Sequence, residues 1–175
     1  MSRSALFLDR DGTLIVDVGY PRDPDRVELV EGVAHALRTL QRDHALVIVS
    51  NQSGIGRGLI REEEAAAVHA RVIEQFQAAG VVFAGAYYCP HAPDDRCRCR
   101  KPAAGLIEDA ARELDLDVGR SFMIGDKPSD LEAGRAAGCR YVVRFGIDED
   151  GAEASARCED WAEVCAFIAS TAEPG

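Results

Sequence analysis

The sequence predicts an α/β fold: a Rossmann-like doubly wound parallel sheet in a single domain spanning residues 1–175, without a large cap. Three observations carry this. Short continuous apolar runs recur along the chain, each the length of a strand buried on both faces. Between them lie segments whose apolar residues repeat at helical spacing. The length of 175 residues, with 47% hydrophobic and 29% charged, suits one ordinary globular domain with a sizeable core.

The first apolar run, residues 5–8, ends on Asp9, Arg10, Asp11, Gly12 and Thr13. Two carboxylates at the end of a buried strand are costly unless a cation or hydrogen bonds receive them. Gly12 allows the backbone to turn away and leaves both acids near the sheet edge. A calcium loop of the EF-hand type fails on spacing. Glycine falls at position four rather than six, Tyr20 stands at position twelve, and a strand rather than a helix comes first. A solvated acidic turn is the plain alternative. The chemical reading is a metal-assisted aspartyl nucleophile, with Asp9 attacking phosphorus and Asp11 handling the proton of the leaving oxygen.

Residues 15–31 hold Gly19, Pro21 and Pro24 among charges and read as a loop too short for a cap domain, over an open site. Asp17 and Tyr20 in it are candidate substrate contacts, or parts of a plain surface loop. A helix over 32–43 places Val33, Ala36, Leu37 and Leu40 on one side, with His35 and His44 at the surface. The β-branched run 45–49 is a second central strand and ends on Ser50, followed by NQSGIGRG. A hydroxyl followed by Gly54, Gly56 and Gly58 suits an anion site, because backbone N–H groups of glycines can approach phosphate oxygens. The stretch is neither a P-loop nor a dinucleotide fingerprint. Arg57 inside it could pair with a second phosphate. A helix over 61–79 follows, with Ala65, Val68, Val72 and Phe76 apolar, Glu62–Glu64 at its positive end and His69 structural or exposed. A strand at about 83–88 leads into the next motif.

That motif is a loop over 89–99. Its Cys89, His91, Cys97 and Cys99 match the Cys₃His set of a closed, structural zinc site. A disulfide reading needs an oxidising compartment and leaves one thiol over. Arg100 and Lys101 come next, so zinc would stiffen a loop that aims two cations at the site. Lys101 suits a point charge on an anionic group, and Arg100 suits a bidentate grip. Without their neighbours both would be plain surface cations. After a helix over 104–114, the strand 121–124 ends on Gly125, Asp126, Lys127 and, one turn into the next helix, Asp130. Asp130 either orients Lys127 or caps that helix. A strand at 141–143 completes the expected sheet. The rest is acidic and alanine-rich with one helix over 161–169, and Cys139, Cys158 and Cys165 read as buried small residues.

The formal net charge of −10 argues against a nucleic-acid partner but leaves room for a small phosphorylated substrate in a local positive pocket. No run approaches a membrane span and none reads as a secretory leader, so a cytoplasmic location with reduced thiols is expected. A monomer is the expected state.

FLDRDGT, the Ser50 turn, CRKP and GDK, in that order, resemble the motifs of the haloacid-dehalogenase superfamily of phosphatases. The resemblance implies Asp9 as nucleophile, Asp11 as general acid and base, Ser50 and Lys101 on the phosphoryl oxygens, and catalytic Mg²⁺ on Asp9, Asp126 and the backbone carbonyl of Asp11. Over about residues 6–144 the chain is most similar to the heptose 1,7-bisphosphate phosphatase branch, which acts in nucleotide-activated heptose biosynthesis. The histidinol-phosphate phosphatases come next. The branch implies structural zinc on Cys89, His91, Cys97 and Cys99. It also implies substrate contacts from Asp17, Gly19, Tyr20, Ser50, Asn51, Gln52, Ser53, Arg100, Lys101 and Lys127. Ser50 stands where threonine is frequent, Gly56 where alanine is, and the short cysteine loop is shared with the histidinol branch. Ser53, where that branch usually carries aspartate, and Arg57, suited to a second phosphate, favour the bisphosphate. A zinc-stabilised sugar-phosphate binding protein without catalysis predicts loss of Asp9, Asp11, Lys101 or Asp126, and all four are present.

Overall fold

The computed structural model describes residues 2–147 and 151–172, so the parts of the acidic tail at 148–150 and 173–175 lie outside the described residues. The six strands are β1 (Ala5–Leu8), β2 (Ala45–Asn51), β3 (Gly85–Cys89), β4 (Phe122–Gly125), β5 (Tyr141–Phe145) and β6 (Ala156–Cys158). All neighbouring strands pair parallel, in the order β3-β2-β1-β4-β5-β6. The order reverses between β1 and β4, and ligands of open α/β sheets bind outside the carboxyl ends of the strands at that reversal.

The helices are α1 (Val33–Leu40), α2 (Ser53–Gly56), α3 (Glu62–Ala78), α4 (Gly105–Leu114), α5 (Pro128–Ala137) and α6 (Trp161–Ser170). They cover both faces of the sheet. Leu6, Leu8, Leu46 and Ile48 pack with Val33, Leu37, Val72, Phe76 and Trp161 from α1, α3 and α6. Phe7, Val47, Val49 and Met123 pack with Ile107, Ala110 and Leu131 from α4 and α5. Burial on both faces is why β1 and β2 read as unbroken apolar runs rather than alternating ones. Each fully buried large side chain contributes roughly 1.5–3 kcal/mol, which makes the strand ends stable mounts for polar groups.

Several expectations need correction. The sheet has a sixth strand, β6, a three-residue edge strand in which only Cys158 is buried, too short to give a periodic signal. His44 is half-buried rather than a surface residue, with Nδ1 at 2.8 Å from Ser4 Oγ and its ring edge-on to Phe122. Cys158 is buried as expected, but Cys139 and Cys165 are only partly so. Trp161 is buried, and its Nε1 donates to the Thr13 carbonyl at 3.1 Å, tying α6 to the turn after β1.

Candidate active site

The acids meet where β1 and β4 end side by side. Leu8 registers with Ile124, and the Asp9 N–H donates to the Ile124 carbonyl at 3.0 Å. This carries the pairing one residue beyond the strand and sets Asp9 beside Asp126. Gly12 makes the approach possible. Its φ is +87°, and a Cβ there would run into the Asp126 carboxylate.

Lys101 enters from the loop after Cys99 and is almost fully buried. Its Nζ lies 2.6 Å from Asp9 Oδ1 and 2.6 Å from Asp130 Oδ1, and it donates to the Val49 carbonyl at 2.8 Å. Asp130 thus does something other than orient the Lys127 side chain. It holds Lys101, while its Oδ2 accepts from the Lys127 backbone N–H at 3.0 Å and caps α5. Burial pulls Lys101 down, but Asp130 and Asp9 more than reverse this and hold its ammonium above the usual lysine range.

One lysine does not neutralise three acids. Ligand oxygens of Asp9, Asp126 and Asp130 lie within 4.8 Å of one another, leaving a net charge of about −2 beside Lys101 if all are ionised. Burial pushes the Asp9 carboxyl up to about 6, with Asp130 adding to the rise and Lys101 opposing it. Burial followed by the Asp9 charge pushes Asp126 up to about 7. Asp126 Oδ1 is buried without a partner. A hard divalent cation that takes oxygen ligands fits this donor set, and Mg²⁺ is the expected one.

Asp11 faces the same cleft. Its carboxylate accepts from Arg10 Nε and Nη2 at 3.0–3.3 Å and from Gln52 Nε2 at 2.8 Å. Gln52 Nε2 also donates to Ser50 Oγ at 2.7 Å, leaving the Ser50 proton free to donate elsewhere. The cleft, of about 330 Å³, is lined by Asp9, Asp11 and Asp17 with Gly19, Tyr20, Asn51, Gln52, Ser53, Arg100, Lys101, Lys127, Ser129 and Asp130. Asp17, on its rim, accepts from the Gly19 N–H at 2.8 Å and from Lys127 Nζ at 3.3 Å. Arg100 Nη1 is buried without a partner.

The turn after β2 departs from expectation. The Gly56 N–H donates to the Pro90 carbonyl at 2.8 Å and the Gly58 N–H to Ile55 at 2.9 Å, so these glycines do not offer N–H groups to phosphate. Gly54 and Gly56 serve close packing. A Cβ on Gly54 would sit 2.7 Å from Tyr20 Cδ1, and one on Gly56 would run into the Ala92 backbone. Arg57 closes α2, is exposed, and is absent from the cleft lining, which separates it from the phosphate role its sequence context suggested. Ser129, in the first turn of α5, joins the lining although no motif marked it.

The cysteine loop is mounted directly on this cleft. Cys89, His91, Cys97 and Cys99 bring three sulfurs and Nδ1 within 4.8 Å of one another, with individual separations of 3.1–3.5 Å. Burial raises the Cys97 thiol, but the Arg100 backbone N–H and the neighbouring thiols bring it down to about 7. Four soft donors at one point, with no fifth, fit a closed zinc site. Asn51 clasps the loop's far end, its Nδ2 donating to the Lys101 carbonyl and its Oδ1 accepting from the Lys101 N–H, both at 3.0 Å.

Comparison with known proteins agrees with this geometry. The HAD-hydrolase-like family matches residues 98–164. The D-glycero-beta-D-manno-heptose-1,7-bisphosphate 7-phosphatase of Haemophilus ducreyi is 42% identical over 159 residues, covering 83% of this chain and 86% of the relative. That of Vibrio cholerae is 41% identical over 163 residues, covering 86% and 88%. The chain belongs to the heptose-bisphosphate phosphatase family of haloacid-dehalogenase-like hydrolases. Among solved structures, the D,D-heptose 1,7-bisphosphate phosphatase of B. bronchiseptica, complexed with magnesium and phosphate, superposes with a TM-score of 0.84 at 32% identity. It covers 97% of this chain and 99% of its own. A putative HAD-like phosphatase from Mesorhizobium loti superposes at 0.82 and 31% identity, covering 99% and 90%. In this heptose-bisphosphate phosphatase family member, Asp9, Lys101 and Asp126 gather at the reversal point of the sheet.

Proposed function

We propose that the chain is a Mg²⁺-dependent phosphatase that hydrolyses the 7-phosphate of D-glycero-D-manno-heptose 1,7-bisphosphate through an aspartyl-phosphate intermediate. The observation that carries this is Asp9 at the sheet's reversal point, bonded to Lys101 and beside the partnerless oxygen of Asp126. The relatives' substrate supplies the sugar.

Asp9 attacks phosphorus, and the bond to the sugar oxygen breaks with inversion at phosphorus. Asp11 gives its proton to the departing oxygen, then takes one from the water that attacks the aspartyl-phosphate and returns phosphate. Lys101 and the Ser50 hydroxyl hold equatorial phosphoryl oxygens as charge builds on them. Mg²⁺, held by Asp9, Asp126 and the Asp11 carbonyl, supplies charge neutralisation at the phosphoryl group. Arg100, with an unspent buried donor, and Lys127 suit the remaining anionic and hydroxyl groups of the substrate. Cys89, His91, Cys97 and Cys99 would hold a structural zinc, which would keep Arg100 and Lys101 in register. The enzyme acts as a monomer on a free sugar phosphate in the cytoplasm. Among the described residues no helix is long and apolar enough to cross a membrane.

The deciding experiment compares kcat/KM with Mg²⁺ on heptose 1,7-bisphosphate and on histidinol phosphate. The expected preference is about a hundredfold or more for the bisphosphate, because a site built for a second anion leaves cations unpaired with the monoester. Preference for histidinol phosphate would move the protein to that branch with its chemistry intact. Turnover of neither would favour a sugar-phosphate binding role.

A further inference from the structure

The geometry points to Arg10, acting with Gln52, as the positioning residue for the Asp11 carboxylate. This rests on the phosphatase reading above, and it concerns an acid whose carboxylate is held by side chains.

Arg10 lies between the two acids in sequence yet is 1% exposed, among the largest fully buried side chains. A buried guanidinium is expensive, and a pair made with the adjacent residue brings no long-range cross-link that would explain keeping it. What it does is grip. Nε and Nη2 each reach both Asp11 oxygens, a side-on fork. Gln52 Nε2 approaches Oδ2 from the β2 side. Asp11 itself sits in a turn: Gly12 N–H bonds to Ile15, and Leu14 and Ile15 N–H bond to the Arg10 carbonyl. Those bonds fix the backbone, whereas the carboxylate orientation is set by Arg10 and Gln52.

The consequence is mechanical. Asp9 has Lys101, and Lys101 has Asp9, Asp130 and Val49. The water that hydrolyses the aspartyl-phosphate enters in line with the Asp9–phosphorus bond, where the sugar oxygen stood, so Asp11 serves both steps from one place and its partners must hold it there without blocking the cleft. A planar fork on one side and a neutral amide on the other leave the cleft-facing side open, and Asp11 is among the residues lining the cleft. Positioning a general acid and base in this way matters most when the leaving oxygen is a poor leaving group, as a sugar alkoxide is.

The test is a double-mutant cycle in the full-length, Mg²⁺-loaded enzyme, using Arg10→Met, Asp11→Asn and the pair, read by single-turnover hydrolysis of the sugar bisphosphate. Arg10→Met alone should lower the rate by about ten- to a hundredfold with KM within about twofold, part of the range a general acid supplies. In the Asp11→Asn background the same change should cost less than about twofold, because the group it positions is gone. The burst of nitrophenolate from p-nitrophenyl phosphate, which needs no proton on leaving, should fall less than the sugar reaction. Equal losses in both backgrounds, or equal losses on both substrates, would overturn the inference and leave Arg10 a structural residue. If Arg10→Met does not fold by circular dichroism, Gln52→Met removes the other side of the clamp, and the same non-additivity with Asp11→Asn decides. Wild-type enzyme inactive on both substrates would instead sink the phosphatase reading itself.

Discussion

Two clusters of ligating side chains, Asp9, Asp126 and Asp130 on one hand and Cys89, His91, Cys97 and Cys99 on the other, are held by opposite means. The acidic cluster stands on strand ends. Asp9 and Asp126 inherit their positions from parallel pairing between β1 and β4, and Asp130 from the first turn of α5. The cysteine cluster is anchored to the sheet only through Cys89, the last residue of β3, and its remaining ligands lie in a loop whose one regular piece is a three-residue 3₁₀ turn at Pro93–Asp95. Its shape comes from four side chains converging on one point and from docking bonds to the β2 turn: Gln52 N–H to Cys89 at 2.7 Å and Gly56 N–H to Pro90 at 2.8 Å. The acidic cluster is therefore preorganised by the core and needs a cation for its charge. The cysteine cluster, on the zinc reading proposed above, takes its shape from a cation.

The largest expected effect tests whether the two are separable. Asp9→Asn removes the nucleophile and should lower kcat by a factor on the order of 10⁴ or more, as loss of a covalent nucleophile does. Zinc content, measured by atomic absorption, should stay the same, because none of the four soft ligands touches Asp9. Loss of zinc in that variant would break the comparison.

Removing the other cation should act at a distance. Zinc-selective chelation, or Cys97→Ser, leaves the sheet intact but frees the loop that delivers Arg100 and Lys101. Displacing Lys101 by about 1 Å is enough to cost about a hundredfold in kcat. Far-UV circular dichroism should be nearly unchanged and proteolysis should concentrate between residues 90 and 100. An enzyme that keeps full activity without zinc would mean that the Asn51 clasp on Lys101 suffices alone.

The same contrast explains what could be read from sequence. The strand-end acids and the Cys–His loop are local patterns: spacing marked Asp9, Asp11 and the four soft donors, the motif resemblance marked Asp126, and the structure brings Asp9 beside Asp126 and gathers the four soft donors. The bonds that complete the site are long-range. Asp130 meets Lys101 from the next motif, and Gln52 meets Asp11 from across β2, so neither pairing leaves a spacing signature. The glycines of the β2 turn were legible as a tight turn but not as to purpose. Whether a glycine offers its N–H or its empty side depends on neighbours such as Tyr20 and Ala92, which only the fold supplies. Arg57 was misplaced for the same reason, since the short helix α2 turns it outward. Strand β6 was hidden by its brevity and its exposed Arg157.

A third prediction uses pH to expose the acidic cluster's need for charge. Asp9, raised to about 6, and Asp126, raised to about 7, are carboxyls whose folded values lie above the unfolded 3.8. Between those limits the metal-free folded protein binds more protons than the unfolded one. Its stability contribution from these groups is full below about pH 4 and is lost as pH rises through about 7. Mg²⁺ takes the place of the proton and binds only the ionised pair. The rise in Tm on adding Mg²⁺ should therefore be small near pH 5 and grow to a maximum above about pH 7. A Mg²⁺ effect independent of pH would mean that the cation does not sit between these acids. The cysteine cluster should show no response to Mg²⁺ at any pH, because thiolates and imidazole do not suit a hard cation.

The smallest effect lies on the rim, where neither mode of support applies. Lys127 and Asp17 form a pair at 3.3 Å with side chains 55% and 34% exposed, bridging the loop after β1 to the start of α5. Such a pair is worth at most about 1 kcal/mol to stability. Lys127→Met should leave Tm nearly unchanged while raising KM for the bisphosphate about fivefold with kcat held, the signature of an interaction equal in ground and transition states. Burial lowers Lys127, but Asp126 and Asp17 more than offset this and keep its charge secure, so the loss should be independent of pH across the neutral range. A fall in kcat instead would place Lys127 on the phosphoryl group being transferred. The cation count at the reacting centre would then include a residue held by neither the sheet nor the cysteine loop.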